Sequence, residues 1–201
     1  MKPKSIVLLS GGIDSATALF WSKNKGYDTY ALTFKYGNWN RNEIKAAKKL
    51  AKLAKVREHI ILDANFLNEI RNLKSRRLLK KFPAVYIPSR NTIFFGIASH
   101  YAEILGANYI VTGHSFIDPF PDSKPRYVKA INDALSSGSW LGKEYKTKII
   151  MPLAKLDKTG IIKLAIKLKV PLELTWSCYK NGRIMCGKCN GCFSRLNVVI
   201  S

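Results

Sequence analysis

Two short stretches of this chain combine residue types whose spacing suits chemistry: Ser10-Gly11-Gly12-Ile13-Asp14-Ser15, and the set Cys178, Cys186, Cys189 and Cys192. In the first, Gly11 and Gly12 permit positive φ and let a phosphate approach the main chain with no Cβ in the way. A helix starting there offers unpaired N–H groups and the positive end of its dipole, and Ser10 and Ser15 add hydroxyl donors. A carboxylate beside polyphosphate is repulsive unless it caps the helix or approaches a divalent cation, so Asp14 has two readings, helix cap or cation-facing acid. The loop has neither the Lys of a Walker A motif nor the spacing of a dinucleotide fingerprint.

The cysteines read C-x7-C-G-K-C-N-G-C. Gly187 and Gly191 let the backbone turn sharply, so Cys186, Cys189 and Cys192 can converge with Cys178. Four thiolates with no open position suit a structural zinc ion, which contributes directly to folding the segment that holds it. An iron–sulfur cluster is the rival, because C-x2-C-x2-C with a fourth Cys also serves ferredoxins.

The elements that must position these groups are legible from hydrophobic periodicity. Lys4 to Leu9, with Ile6, Val7, Leu8 and Leu9, has the composition of a strand buried on both faces of a parallel sheet. The glycine loop therefore sits at a strand's C-terminal end and opens a helix from Asp14 to Lys25. Apolar runs then alternate with helical patterns: strand Thr29 to Phe34, helix Arg41 to Leu53, strand Glu58 to Leu62, helix Thr92 to Leu105 and strand Tyr109 to Thr112. A helix from Arg126 to Ser136, a strand around Lys148 to Met151 and a helix from Asp157 to Leu168 complete the order, with Gly26 and Gly106 placed as helix C-terminal residues. This alternation predicts an α/β, Rossmann-like parallel sheet with flanking helices and right-handed crossovers, followed by a small C-terminal zinc-binding subdomain. Residues 1–170 form the main domain and 171–201 a metal-binding segment of the same domain.

In an open parallel sheet ligands bind beyond the strand C-termini, which directs attention to three segments. Lys35-Tyr36-Gly37-Asn38-Trp39-Asn40-Arg41 follows the second strand, with Trp39 read as a packing residue. Tyr86 to Thr92 precedes the long helix; Arg90 and Asn91 there could hold a carboxylate, a phosphate or a purine edge, and Asn91 equally reads as an N-cap. Gly113 to Tyr127 is a long loop dense in polar groups, His114, Asp118, Asp122, Lys124 and Arg126, as functional loops are. His59 and His100 read as ordinary strand and helix residues, and His114 has its loop position in its favour. No histidine has a neighbour that makes a nucleophile–base pair recognisable.

Composition bounds the function. The 201 residues, 47% of them hydrophobic, suffice for one well-cored domain. No stretch approaches the roughly 20 apolar residues of a membrane span. Met1-Lys2-Pro3-Lys4 leads directly into a core strand, so the expected location is cytoplasmic. Thirty-four Lys and Arg against 13 Asp and Glu give a net charge of +21, which attracts anionic ligands. Nucleic acid is one such partner but is not favoured, because the lysines spread over the solvated faces of helices such as Ile44 to Lys55 and Ile161 to Lys169.

The Ser10-to-Ser15 string resembles the SGGxDS loop of the PP-loop ATP pyrophosphatases. Over nearly its whole length the chain is similar to the 7-cyano-7-deazaguanine synthase branch of that family. The matching residues are Leu32-Thr33-Phe34 with Tyr36-Gly37 and Glu43, Pro88 with Arg90-Asn91, Pro121-Asp122, Pro152-Leu153 with Lys158, and Thr175-Trp176-Ser177-Cys178-Tyr179 with Cys186-Gly187, Cys189 and Cys192. The chain departs from the family at Lys35, where an acidic residue is usual, at Asn38-Trp39-Asn40, which replaces a Gln-Arg-His run, and at Ser123-Lys124, which replaces Cys-Arg.

The resemblance implies adenylation of 7-carboxy-7-deazaguanine by ATP, displacement of AMP by ammonia, and a second ATP-driven step from amide to nitrile. It implies ATP and Mg²⁺ as cofactors besides Zn²⁺, with Asp14, Ser15 and Lys158 catalytic. The stretch Leu8, Leu9, Ser10, Gly11, Gly12, Ile13, Asp14, Ser15, Ala16, Thr17 and Ala18 would bind ATP, Arg90, Asn91 and Asp122 the deazapurine, and the four cysteines the zinc. The cysteine segment would close over the substrate, and a homodimer is compatible with the family. Two other functions fit parts of the pattern: a tRNA thiolase of the PP-loop class, and a non-catalytic nucleic-acid-binding or regulatory homologue.

Overall fold

Residues 2–36, 41–67, 82, 86–140, 147–180 and 182–199 are described by the computed structural model. Gly37, Asn38, Trp39 and Asn40 lie outside them. Five strands, β1 (Lys4–Leu8), β2 (Asp28–Lys35), β3 (His59–Asp63), β4 (Tyr109–Val111) and β5 (Lys148–Ile150), pair in the order β3-β2-β1-β4-β5, all parallel. The helices α1 (Ile13–Asn24), α2 (Arg41–Leu53), α3 (Arg90–Leu105), α4 (Pro125–Ser137) and α5 (Lys158–Lys167) alternate with them, and α6 (Asn190–Val199) follows in the cysteine-bearing tail.

Period-two alternation along the strands feeds two cores. Val7, Leu9, Ala31 and Val111 pack with Leu19, Leu50 and Ala165 of α1, α2 and α5. Ile6, Leu32, Phe34 and Ile110 turn the other way, onto Phe95, Ala98 and Ala102 of α3. Because both faces are covered, the strands read as continuous apolar runs. Helix α2 shows the amphipathic pattern most clearly: Ala46, Ala47, Leu50 and Ala51 are buried while Lys45, Lys48, Lys49 and Lys52 are exposed.

The predicted elements are present with shifts of one or two residues at their ends. Gly106 ends α3 in the left-handed region (φ 62°) and Gly26 follows α1 at φ 74°. Helix α6 was not anticipated. The Cys186-to-Cys192 stretch reads as turns, yet the Phe193 N–H bonds the Cys189 carbonyl at 2.8 Å and Cys192 sits in the first helical turn. Gly191 is required there because a Cβ would lie 2.0 Å from the Ser177 carbonyl oxygen.

Strand order reverses between β1 and β4, so the chain segments leaving those strands diverge and open a crevice. The segments touch at Gly113, where an added Cβ would meet the Asp14 carbonyl carbon at 2.6 Å. Gly113→Ala is therefore expected to cost about 2 kcal/mol or more through overpacking. The measurement is the midpoint of urea unfolding at constant slope; wild-type stability would show that the two segments can separate freely.

Candidate active site

The loop after β1 lies at the floor of the crevice. Gly11 has φ 94°, a conformation open to glycine. Gly12 corrects the expectation for the second glycine: it is extended (φ −77°, ψ 166°) and serves as the N-cap residue of α1 without a side-chain cap. Asp14 is accordingly not the cap. It stands in the first turn of α1, and its Oδ1 accepts a 2.6 Å hydrogen bond from Lys158 Nζ across the crevice, both side chains partly exposed. Lys158 is the first residue of α5, whose N-cap Asp157 accepts from the Gly160 N–H at 2.7 Å, so the helix start fixes the lysine's origin.

The loop serines do not point their hydroxyls outward. Ser15 Oγ accepts from the N–H groups of Ser10 and Gly11 at 3.2 Å each, contacts Ser10 Oγ at 3.0 Å and donates to the Gly12 carbonyl. Ser10 Oγ accepts from the Gly12 N–H at 3.3 Å. Beyond the loop, Ile13, Ala16, Thr17 and Ala18 are buried, and Thr17 Oγ1 bonds the Ile13 carbonyl. Their side chains belong to the core, and of the Leu8-to-Ala18 stretch Leu8, Leu9, Ser10, Asp14 and Ser15 line the cavity described next.

Above the loop is a cavity of about 520 Å³, within the range of small-molecule sites. Leu8, Leu9, Ser10, Asp14 and Ser15 form its floor, and Leu32, Phe34, Tyr36 and Phe94 an apolar wall. Phe34 and Phe94 stack with ring centres 3.9 Å apart. Arg90, Asn91, Glu43, Thr112, Gly113, His114, Asp118, Phe120 and Tyr179 supply the remainder.

Asn91 is 5% exposed, and its side-chain amide makes no hydrogen bond with any described residue. The N-cap position of α3 belongs to Ser89 instead (φ 53°). A buried amide without a partner is costly and points to a ligand that completes it.

Sequence reasoning named several cavity residues without giving them a role. Asp118, on the long loop, accepts from the Ser115 N–H at 3.1 Å and lines the cavity, whereas Asp122 sits on a 3₁₀ turn (Pro121–Ser123) outside the lining. The loop is held by Ser115 Oγ on the Leu156 carbonyl at 2.8 Å and by Lys124 Nζ on the carbonyls of Phe116 and Asp118, so Lys124 serves structure. Ser123 is buried and bonds the Phe120 carbonyl.

His114 Nδ1 lies 2.7 Å from Thr112 Oγ1, and burial holds its pKa below the usual imidazole value. Glu43 is shifted the other way: burial raises its carboxyl to about 7 against the opposing pull of the Arg90 charge. Nothing in the sequence beyond a motif match singled Glu43 out. His59 lies within reach of the loop after all, since Thr33 Oγ1 bonds the Leu9 carbonyl at 2.6 Å and is 2.7 Å from His59 Nε2. His100 is exposed on α3, and Lys35 makes an exposed 3.4 Å ion pair with Asp63.

The tail reaches the loop directly. The Trp176 N–H donates to the Gly11 carbonyl at 2.9 Å, its indole Nε1 to the Cys178 carbonyl at 2.8 Å, and Asn42 Nδ2 to the Gly182 carbonyl at 2.8 Å. Arg195 ties α6 to Leu172 and Thr175. All four cysteine sulfurs lie within 4.8 Å of one another, with Cys186–Cys192 at 4.0 Å and Cys189–Cys178 at 3.9 Å. A tetrahedral ion with metal–sulfur bonds near 2.3 Å spaces sulfurs about 3.8 Å apart, so the set fits one four-coordinate ion. The N–H groups of Lys180 and Cys186 point at Cys178 Sγ, at 3.3 and 3.4 Å.

The sheet order, the helix layers and a glycine loop at the switch point define the Rossmann-like PP-loop class. Solved structures share this fold. A 4-thiouridine synthetase complexed with RNA and bound ATP aligns with a TM-score of 0.64 at 22% identity, over 92% of this chain and 45% of that one. NMN synthetase from Francisella tularensis aligns at 0.57 and 18% identity, over 92% and 71%.

Within the class, sequence selects the family. The family described as queuosine biosynthesis protein QueC matches residues 4–200. The 7-cyano-7-deazaguanine synthase of Thermoplasma volcanium is 41% identical over 98% of this chain and 86% of that relative. The synthase of Thermosynechococcus vestitus is 40% identical over 96% and 89%. The chain belongs to the QueC family.

Cys189→Ser removes one of the four sulfurs and is expected to strip bound metal from the purified protein, because structural metal binding and local folding are coupled. Metal content by mass spectrometry decides it; an unchanged ion count would place the metal elsewhere.

Proposed function

We propose that this chain is an ATP-dependent ligase that converts 7-carboxy-7-deazaguanine and ammonia to 7-cyano-7-deazaguanine, in queuosine precursor biosynthesis. Besides family membership, the observation that carries this reading is the unsatisfied Asn91 amide in a cavity floored by the glycine loop. A purine-like ring offers the donors and acceptors that this wall lacks. The apolar Leu32, Phe34 and Phe94 wall suits its face.

A carboxylate acylates poorly until its oxygen becomes part of a good leaving group. ATP supplies that group: the carboxylate oxygen attacks the α-phosphorus, pyrophosphate departs, and ammonia then displaces AMP. The loop N–H groups of Ser10, Gly11 and Gly12 and the ammonium of Lys158 hold the departing pyrophosphate, an anion site built from a helix start and a cation. Asp14 is the carboxylate that would hold Mg²⁺, which would supply neutralisation of the phosphate charge. Arg90 and Asn91 take the substrate carboxylate and ring, with Asp118 in the wall as acceptor for the amino edge. Ser15 keeps the loop in shape through its contacts with Ser10 and Gly12.

The four cysteines hold zinc. Their mutual distances support a single ion over a four-iron cluster, in which each sulfur would bind a different iron and the sulfurs would stand further apart. Residues 171–201 act as a zinc-held segment of the domain formed by 1–170, and their contacts with Gly11 and Asn42 support that division. All four cysteines of the chain lie in this one cluster, which disfavours sulfur transfer by a separate thiol. Among the described residues no helix is long and apolar enough to cross a membrane. A homodimer is part of the proposal by family, and nucleic acid is not.

The experiment is incubation of the purified protein with ATP, Mg²⁺, ammonium and 7-carboxy-7-deazaguanine, followed by mass spectrometry. AMP and the nitrile are expected, and AMP at background level would overturn the assignment. Asp14→Ala is expected to lower AMP release by at least about 100-fold, the scale of lost electrostatic stabilisation, with zinc retained. Equal activity would remove Asp14 from the chemistry.

A further inference from the structure

The proposed reaction must shed protons from nitrogen, and the loop, Lys158 and Arg90 are all donors or cations. When ammonia attacks the acyl adenylate, a C–N bond forms, the C–O bond to AMP breaks with its electron pair on AMP, and the nitrogen gives up a proton. In the dehydration, the adenylated amide loses a nitrogen-bound proton, the C–O bond breaks toward AMP, and the nitrile remains. Each step needs a base within reach of one nitrogen.

The cavity holds four candidates for a base. Asp14 is bound by Lys158, Asp118 accepts from the Ser115 main chain, and His114 Nδ1 is engaged with Thr112. The fourth, Glu43, lines the cavity from α2, where its backbone is pinned because the carbonyl oxygen packs against Gly11. Its carboxylate makes no hydrogen bond and no ion pair with any described residue, although Arg90 on α3 and Tyr179 on the tail face it closely enough to interact electrostatically. An unpartnered, partly buried carboxylate at a cavity wall is poorly explained by stability.

Resting on the synthase reading, we propose that Glu43 is the general base of the two nitrogen steps, taking the proton from the attacking ammonia and later from the adenylated amide and passing it to water. The geometry suits the role. Glu43 lines the same cavity as Ser10, Asp14 and Ser15 of the loop that would hold the α-phosphate. Its position at about 7 on the pH scale, set by burial and moderated by Arg90, matches the range in which a base is both deprotonated and strong at neutral pH.

The test separates adenylation from nitrogen chemistry. Acid-dependent exchange of labelled pyrophosphate into ATP, without ammonium, reports adenylation alone; amide and nitrile formation with ammonium report the later steps. Glu43→Gln is expected to keep exchange within about threefold of wild type and to lower amide formation at least about 100-fold, at the low end of general-base contributions. Glu43→Asp, which retains the carboxylate, should recover part of the loss. At fixed free ammonia, wild-type amide formation should rise with pH through a limb near 7 as Glu43 loses its proton, and the Gln variant should lack that limb.

Parallel loss of exchange and amide formation would make Glu43 a structural or ATP-binding residue and overturn the proposal, as would unchanged amide formation. If the Gln variant fails to fold, an unshifted limb in Glu43→Asp overturns it. Absence of acid-dependent exchange in the wild type is a different failure, since it overturns the synthase reading itself and the base proposal with it.

Discussion

At Gly11 three segments far apart in sequence come into direct contact. The residue has a left-handed backbone, and where its Cβ would be, the Glu43 carbonyl oxygen lies 2.2 Å away and the Ala47 amide nitrogen 2.9 Å away. Its own carbonyl takes the Trp176 N–H. The loop, the start of α2 and the root of the tail are thus fixed by one residue that has no side chain. Any Cβ there forces α2 outward, displaces Glu43 from the cavity wall and loosens the tail hydrogen bond together with it. Ligand binding and metal binding therefore share one backbone anchor.

Charge works at two scales. The +21 net charge raises the local concentration of anions without selecting among them. Selection belongs to the cavity, where acidic and basic groups are interleaved: Asp14 against Lys158, Glu43 facing Arg90, Asp118 on a fixed loop. A wall of one sign would hold an anion tightly and release it slowly. The mixed wall gives each cation a local counter-charge in the empty state, so that ligand binding redistributes charge within the site.

The sheet and its helices were legible because burial on both faces leaves unmistakable apolar runs, and because α2 and α5 bury alanine, leucine and isoleucine against exposed lysines. The tail was harder to read. Helix α6 begins amid cysteines and glycines whose spacing suggests turns, and the need for Gly191 arises from Ser177, fourteen positions earlier. The loop glycines were told apart only by structure: Gly11 needs its positive φ, and Gly12 does not. Asp118 and Glu43 were visible as a loop acid and a motif match but had no role, because their meaning lies in who fails to pair with them or which wall they join, and a linear sequence shows neither. Asp122 was chosen over Asp118 on motif alone, four residues from the side chain that lines the cavity.

The loop's internal hydrogen bonds set what it can bind. Ser15 and Ser10 already satisfy the N–H groups of Ser10, Gly11 and Gly12. An arriving ligand therefore exchanges partners with a hydroxyl instead of meeting bare donors. A neutral acceptor gains almost nothing by that substitution, whereas a phosphate oxygen converts ordinary bonds into charge-assisted ones of roughly twice the strength. The serines thus act as a threshold: the loop is silent to uncharged acceptors and responds to ligands that bring negative charge.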